Sequence, residues 1–331
     1  MRAAFIEQPC PADQIQVGEL PTPAPKAKEV LVKVAVSALN PVDLYIRSGT
    51  IAMELPKPFV PGCDLAGTVE AVGPEVSRFL VGDRVWGSNQ GLLGRQGTMA
   101  EYACVEEGWL YRTPESVSDK DAAATSLVGI TAHLGLFHCA KLQAGETLFV
   151  NGGTGGVGSM VVQMAKAIGA KTIATVGTDE KVELCKAWGC DLVINYKSDD
   201  VDEAIRNFTD GEGVHVWYET QREPNFMRTV GLLRDRGRMV IMAGRTAEPT
   251  FPVGPFYVKG LSLFGFAMFK FTQDEQRECA DDINKWASNG KLRIPVGRTF
   301  PLEEAAQSHK FLEENTLGSA GQLIGKVVVE V

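Results

Sequence analysis

Three glycines in the segment GGTGGVG, residues 152–158, have the spacing G-x-G-x-x-G. The apolar run ETLFVN precedes this segment and an amphipathic helical pattern follows it, so the glycines fall where a strand turns into a helix. In that setting the first glycine makes a tight turn, the second lets the backbone approach a diphosphate, and the third lets helix and strand pack closely. Free N–H groups at the helix start attract phosphate oxygens. A purely structural turn is the alternative to the dinucleotide-binding loop that we predict from Gly153, Thr154, Gly155, Gly156 and Val157.

The second strand of this segment, KTIATVG, indicates which dinucleotide fits. An NAD site places a carboxylate at the end of that strand, where it binds the 2′-hydroxyl of the ribose. Here the strand ends in Gly177, and Thr178, Lys181 and Tyr196 are available for a 2′-phosphate instead. Asp179 is expected in the first turn of the next helix, with Thr178 as the N-cap. The sequence therefore favours NADP(H); the alternative for Lys181 is a solvated position on a helix.

A cysteine and an acid adjoin each other between glycine turns in PGCDLAG, residues 61–67. Cys63 is a candidate metal ligand, nucleophile or small buried side chain, because thiols serve in all three ways. No basic residue adjoins Cys63 in sequence to lower its pKa, and no C-x2-C pair occurs in the chain. The packing role is therefore favoured.

Composition excludes several classes of protein. With 331 residues the chain is long for one hydrophobic core, so two domains are expected. The net charge of −8 disfavours a nucleic-acid surface. The apolar stretch at 260–269 is shorter than the roughly 18 residues of a membrane span, and seven cysteines without a framework fit reduced thiols. We expect a cytoplasmic protein with neither nucleic acid nor membrane as a partner.

The predicted secondary structure around these motifs indicates two domains of different architecture. Up to about residue 120 the chain consists of short β-type segments between Gly and Pro turns. Beyond that point short apolar strands alternate with helical patterns, which is typical of a doubly wound parallel sheet. The tail holds a helix and a closing strand, GKVVVEV. We predict an α/β protein in which a dinucleotide-binding fold is inserted into a discontinuous β-rich domain.

Several segments together resemble one known family. They are NPVDLYIRSG at 40–49, PGCDLAGTVEAVG at 61–73, GDRVWG at 82–87, INY at 194–196 and PLEEAAQSH at 301–309. Over almost its whole length the chain is similar to the zinc-free quinone oxidoreductase, or zeta-crystallin-like, branch of the medium-chain dehydrogenases/reductases. The resemblance implies a GroES-like catalytic domain, residues 1–126 and 267–331, and a Rossmann NADP-binding domain, residues 127–266.

Zinc-binding relatives in this family carry C-x4-H in the first of these segments and G-H-E in the second. Asn40 and Tyr45 stand at the cysteine and histidine positions, and Cys63 and Asp64 replace the His-Glu pair. Catalytic zinc needs three protein ligands and an open position. We therefore expect no metal, and hydride transfer from NADPH to an acceptor that is already electron-poor.

The resemblance implies that Asn40 and Tyr45 lie beside the nicotinamide. Asn40 would hydrogen-bond the acceptor oxygen, and Tyr45 would donate a proton or a hydrogen bond as negative charge develops. The alternatives are that Asn40 caps a turn before Pro41 and that Tyr45 is a packing residue.

The resemblance also implies that Thr131 contacts the nicotinamide end of the cofactor. Gly244, at the end of a strand, would meet the cofactor where ligands bind in such sheets. Phe264 and Phe266 would flank the nicotinamide or an aromatic acceptor, with core strand positions as their alternative. The strand that holds these phenylalanines, within 260–269, would pair with its mate in a second subunit, because an open apolar edge invites aggregation. We therefore predict a homodimer.

Three functions remain open at this stage. The first is an NADPH-dependent quinone reductase, and the second is a reductase of α,β-unsaturated carbonyl or enoyl thioester double bonds. The two share one fold and one loop, so the residues barely separate them. The third is a non-catalytic NADPH-binding protein. A small-molecule quinone or enone is the expected partner of either enzyme.

Overall fold

The computed structural model describes residues 1–318 and 321–331. In these ranges the strands are β1 (Arg2–Phe5), β2 (Gln16–Glu19), β3 (Glu29–Leu39), β4 (Asp64–Val72), β5 (Arg84–Gly87), β6 (Tyr102–Glu106), β7 (Leu110–Arg112), β8 (Thr147–Asn151), β9 (Lys171–Val176), β10 (Leu192–Asn195), β11 (Val214–Glu219), β12 (Leu233–Ile241), β13 (Ser262–Gly265), β14 (Val296–Pro301) and β15 (Lys326–Glu330). The α-helices are α1 (Pro41–Arg47), α2 (Asp119–His133), α3 (Gly156–Ala167), α4 (Asp179–Ala187), α5 (Val201–Phe208), α6 (Phe226–Leu232), α7 (Val253–Val258), α8 (Gln273–Ser288) and α9 (Ala305–Thr316).

The chain divides into two compact units. The first comprises residues 1–128, 272–289 and 293–331, and the second comprises residues 129–271 and 290–292. One β-rich unit thus receives the other as an insertion. The predicted α/β fold class, with a parallel sheet inserted into a discontinuous β-rich unit, is confirmed.

The first unit is built on a mixed sheet in which β3 is the longest strand. The strand order is β14-β15-β3-β4-β5-β7, and β6 also pairs with β3. Valines alternate along β3, so that Val30, Val32 and Val34 face one core with Leu65 and Val69 of β4. Burying each of these side chains contributes roughly 1.5–3 kcal/mol.

The register of this sheet brings distant parts of the sequence to one edge. Asp64, at the start of β4, lies opposite Ala38, two residues before Asn40. Lys326 begins β15, and the residue after it pairs with Leu39. The end of β3, the start of β4 and the start of β15 therefore converge around Asn40.

The second unit is a six-stranded sheet with the order β10-β9-β8-β11-β12-β13. All five pairings are parallel, and the order reverses between β8 and β11. Its strands are short and apolar because helices cover such sheets on both faces; Phe149 of β8 and Trp217 of β11 have ring centroids 3.9 Å apart in the core. Ligands of such sheets bind at the carboxyl ends of the strands, beside the reversal.

Within the described part of the chain, one helical stretch, Asp119–Cys139, is long and apolar enough to cross a membrane, but 78% of its most apolar window is buried inside the protein. That burial is typical of a core helix.

Candidate functional site

In the first unit, the predicted site residues lie at the start of α1, directly after β3. Pro41 occupies the first helical position, where the missing N–H costs nothing and the fixed φ suits a helix. Asp43 accepts a hydrogen bond from the backbone N–H of Asn40 at 2.7 Å, which satisfies a donor at the helix start. Pro41 and Asp43 therefore set the start of α1. The side chain of Asn40 is buried at the edge of the sheet.

The side-chain amide of Asn40 is fully engaged. Its Nδ2 donates to Asp64 Oδ2 at 2.8 Å and to the carbonyl of Ala38 at 3.4 Å. Its Oδ1 accepts a hydrogen bond from Lys326 Nζ. A hydrogen bond from Asn40 to an acceptor oxygen, as the resemblance implies, would have to replace one of these bonds.

Lys326 supplies the positive charge of this cluster. Its ammonium donates to the carbonyl of Leu39 at 2.6 Å and lies 3.8 Å from Asp64 Oδ2. Burial lowers the pKa of Lys326 and raises the pKa of Asp64, while their mutual attraction opposes both shifts. Burial, reinforced by the charge of Asp64, also raises the pKa of Asp43 to about 6. Two buried carboxyl groups thus share one ammonium.

Cys63 is a packing residue in this cluster. Its side chain is fully buried and hydrogen-bonds Asp43. Burial raises the pKa of the thiol well above its usual value, and the two nearby carboxylates raise it further. The thiol is therefore protonated at neutral pH, which is the opposite of what a nucleophile or a metal ligand requires.

The donor set does not fit zinc. Three of the positions that correspond to the metal site of zinc-binding relatives are unsuited to zinc. The amide of Asn40 is hydrogen-bonded through both its oxygen and its nitrogen, and Cys63 is a protonated thiol. The ammonium of Lys326 lies beside the carboxylate of Asp64. Across residues 1–318 and 321–331, no group of three or more His, Cys, Asp or Glu side chains could hold a metal ion. No catalytic step through a metal follows from this arrangement.

Tyr45 lies in the middle of α1, two residues after Asp43. It is half-buried, and its hydroxyl makes no hydrogen bond to any residue that the structure describes. Its backbone carbonyl accepts from the N–H of Ile51 at 3.0 Å and from the hydroxyl of Ser48 at 3.4 Å. The phenol therefore keeps both a donor and an acceptor for a bound molecule.

In the second unit, the candidate cofactor site is the glycine loop between β8 and α3. The N–H of Gly153 donates to the carbonyl of Thr175 at 2.8 Å, which ties the loop to β9. A Cβ at Gly153 would lie 2.6 Å from Ala174 Cβ, and one at Gly158 would lie 2.0 Å from the carbonyl oxygen of Gly152, so both positions require glycine. A Cβ at Gly155, the N-cap of α3, would meet only one atom, 3.7 Å away. The loop is closed underneath and open where a diphosphate would lie.

A buried polar network supports the loop from below. The carboxylate of Glu219, at the end of β11, accepts from Asn151 Nδ2 at 3.0 Å and from Trp217 Nε1 at 3.1 Å. Asn151 in turn accepts from Thr175, and burial raises the pKa of Glu219. We did not predict Glu219 from the sequence; the available signal was an acid that ends an apolar strand next to the reversal in strand order.

The carboxyl ends of β9 and β10 form a cationic patch, Thr178, Lys181, Tyr196 and Lys197. Thr178 caps α4 and accepts from the backbone N–H of Lys181 at 3.3 Å. The phenol of Tyr196 covers Gly177, where a Cβ would lie 2.6 Å from its oxygen. Burial lowers the pKa of Lys181, and the charge of Lys197 lowers it further. Sequence reasoning found every member except Lys197.

The acid that could have bound a ribose hydroxyl is engaged elsewhere. Asp179 lies in the first turn of α4, as predicted, and accepts from Asn195 Nδ2 at 2.9 Å. The patch therefore offers cations rather than a carboxylate, which fits a 2′-phosphate.

Two further predicted cofactor residues lie elsewhere in the second unit. The carbonyl of Thr131 accepts from the phenol of Tyr218 at 2.9 Å, so Thr131 is anchored to β11. Gly244 follows β12 with a φ of 86°, and a Cβ there would lie 2.6 Å from the carbonyl oxygen of Arg222. A glycine is required at this strand end.

Phe264 and Phe266 lie at β13, the strand at the edge of the sheet, three strands from β8 and roughly 14 Å away. They line a cavity of about 940 Å³ together with His138, Lys141, Leu263 and Phe271. Phe266 packs edge-on against Phe271 with centroids 5.9 Å apart. The structure therefore groups these two aromatic side chains with the sheet edge and not with the glycine loop.

Comparisons with known proteins match both units. A family model described as alcohol dehydrogenase GroES-like domain matches residues 26–115, and one described as zinc-binding dehydrogenase matches residues 156–285. A quinone oxidoreductase of Sus scrofa is 35% identical over 91% of this chain and 90% of its own. The 2-methylene-furan-3-one reductase of Solanum lycopersicum is 31% identical over 92% of this chain and 72% of its own.

The same fold is seen in a solved structure. The quinone oxidoreductase of Escherichia coli, complexed with NADPH, superposes over 100% of both chains with a TM-score of 0.85 and 26% identity. The GroES-like unit, the glycine loop and the relatives above confirm the resemblance read from the sequence. The chain belongs to the quinone oxidoreductase family of the medium-chain dehydrogenases/reductases and is an oxidoreductase.

Proposed function

We propose that this oxidoreductase reduces a quinone with NADPH and without a metal. The observation that carries the proposal is the ammonium of Lys326, which bonds Asn40 and lies beside Asp64 where zinc-binding relatives would hold their metal. Without a Lewis acid to polarise an alcohol or carbonyl, the substrate must itself be a good hydride acceptor. Quinones meet this condition, and quinone reduction is the activity named for the pig and Escherichia coli relatives.

NADP(H) is the cofactor that the residues fit. The loop from Gly153 to Val157 would bind the diphosphate, while the cationic patch would bind the 2′-phosphate. When bound, the reduced nicotinamide supplies the hydride. The chain itself orients the cofactor. At the end of β9 it offers cations instead of the carboxylate that NAD(H) would need.

Tyr45 is the proposed hydrogen-bond or proton donor. Hydride addition places negative charge on a quinone oxygen, and a donor aimed at that oxygen stabilises the charge. The unengaged hydroxyl of Tyr45 is suited to this role. Asn40, whose amide is held by Asp64 and Lys326, would contribute by fixing the start of α1. One hydride from the cofactor and one proton donated by Tyr45 convert the quinone into the hydroquinone, and solvent then returns a proton to Tyr45.

A second candidate function is favoured by one relative. The tomato protein is named a reductase of 2-methylene-furan-3-one, which is an α,β-unsaturated ketone. The same hydride donor and the same tyrosine would serve a carbon–carbon double bond of this kind. The third function considered from the sequence, a non-catalytic NADPH-binding protein, is disfavoured because the relatives above are named as oxidoreductases or reductases.

The substrate class can be tested by measuring NADPH oxidation with phenanthrenequinone and an α,β-unsaturated aldehyde in parallel. The protein should first be treated with a chelator. We expect faster turnover on the quinone, unchanged by the chelator, because no metal takes part. Turnover on the aldehyde alone would support the second candidate function. Activity lost with the chelator and restored by zinc would contradict metal-free transfer.

The role of Tyr45 is tested in the same assay by Tyr45→Phe. We expect turnover to fall by about tenfold or more, because the transition-state charge loses its donor. The dissociation constant for NADPH, followed by its fluorescence, should not change. Tyr102→Phe is the matched control on β6 and should keep wild-type turnover. If Tyr45→Phe kept wild-type turnover, Tyr45 would not be the donor.

The choice of cofactor is tested by Lys181→Ala and Lys197→Ala. Each substitution removes a charge from the patch, so the dissociation constant for NADPH should rise about tenfold. Binding of NADH, which lacks the 2′-phosphate, should not change. Lys171→Ala, at the other end of β9, is the control. Equal losses for NADPH and NADH would place the 2′-phosphate elsewhere.

We also propose a cytoplasmic homodimer that forms through β13. This strand ends the sheet, its Leu263 is 36% exposed, and an aromatic cavity runs along it. A strand from a second copy would cover that edge and extend both sheets.

The dimer is tested by Leu263→Lys, because a charged side chain on an edge strand blocks pairing. Sedimentation equilibrium at micromolar protein should give the mass of two chains for the wild type and of one chain for the variant. Leu80→Lys, at an exposed leucine of the first unit, should remain a dimer. A wild-type mass of one chain would exclude this assembly.

A further inference from the structure

A second cavity opens at the amino end of the parallel sheet, at the opposite end of the strands from the glycine loop. Its volume is about 330 Å³. The walls come from the residue before β8, the start of β11 and the start of β12. The lining residues are Glu146, His215, Arg234, Asp235, Arg236 and Arg238. None of them belongs to the proposed cofactor site.

The cavity has an excess of positive charge. Three arginines face two carboxylates, which leaves one net positive charge when His215 is neutral. Glu146 is already used by Arg238, whose Nη2 donates to it at 2.5 Å. The Nε of Arg238 is buried and has no hydrogen-bond partner among residues 1–318 and 321–331. A buried donor of this kind indicates a missing acceptor.

The contact between Arg234 and His215 joins two donors. His215 Nδ1 accepts from the backbone N–H of Thr147 at 3.0 Å, so the neutral ring carries its proton on Nε2. That Nε2 lies 2.7 Å from Arg234 Nη1, which can only donate. Burial, together with the charge of Arg234, lowers the pKa of His215, so the ring is neutral. Neither group has an acceptor at this contact.

Arg236 adds a conformational observation. Its φ is 60°, in the left-handed region that favours glycine, and its N–H donates to the carbonyl of Lys259 at 2.7 Å. Non-glycine residues held in this region cost free energy and cluster at binding sites. The strain places a third guanidinium at the cavity wall.

We propose that this cavity binds a phosphate group. Its oxygens would accept from both Arg234 and His215, which resolves the contact between two donors. Arginine binds phosphate through two parallel N–H···O bonds, and a tetrahedral oxyanion accepts from several directions at once. The cavity is larger than inorganic phosphate alone, so the ligand class is a small phosphate monoester.

The site is tested by titrating the NADPH-saturated protein with inorganic phosphate in an isothermal calorimeter. Bound NADPH keeps phosphate away from the glycine loop and the cationic patch. We expect one phosphate per chain. Arg234→Gln should raise the dissociation constant about tenfold, because a charge-assisted hydrogen bond is lost. Arg206→Gln, an exposed arginine on α5, is the control and should bind as the wild type does.

A second readout separates binding from a structural role of Arg234. In phosphate-free buffer the Tm of Arg234→Gln should equal or exceed that of the wild type, because the substitution removes one of two opposed donors. Phosphate should raise the Tm of the wild type and not that of the variant. Equal affinity in both proteins, no binding, or a lower Tm of the phosphate-free variant would overturn the proposal. Malonate bound as tightly as phosphate would overturn the assignment to phosphate.

Discussion

The hydrogen bond between the ammonium of Lys326 and the side chain of Asn40 organises the first unit. It joins the start of β15 to the end of β3, and Asp64 closes the cluster from β4. Buried charges are stable only when they are paired and hydrogen-bonded, so each member of the cluster depends on the others. The start of α1, and with it Tyr45, takes its place from this cluster. Removing any one partner would leave a buried charge or amide without compensation.

In the second unit the corresponding constraint is the parallel register. Six parallel strands bring every carboxyl end to one edge, and the reversal of order between β8 and β11 opens a gap there. The glycine loop lies above this gap, with Glu219 and Asn151 bonded beneath it. A diphosphate would therefore meet a rigid, pre-organised floor, because the network below the loop has few alternatives once it is buried.

Local signals were sufficient to predict much of this arrangement. The glycine loop was predictable because one short segment contains the strand end, the turn and the helix start. Thr178 as a cap and Asp179 in the first turn of α4 also follow from adjacent residues. The fold class was predictable from the change from β-type segments to alternating strands and helices.

The features that were not predicted depend on contacts between residues far apart in sequence. Lys326 lies 286 residues from Asn40 in sequence, and nothing in the tail GKVVVEV marks its lysine as buried. Lys197 reaches the cationic patch from a neighbouring strand, and strand order is not written in any one segment. The partners of the Asn40 side chain, Asp64 and Lys326, lie far from it in sequence, so these hydrogen bonds were not predicted.

Because the ammonium of Lys326 is covalently part of the chain, the positive charge in this cluster does not depend on the supply of metal ions. A metal ion is an exchangeable component, so its occupancy depends on supply, competitors and dilution. A lysine in the same polypeptide is always present at one per chain and cannot be diluted away or captured by a stronger ligand. The electrostatic organisation around Asn40 is therefore inherited with every translated copy, whatever the trace-metal content of the medium.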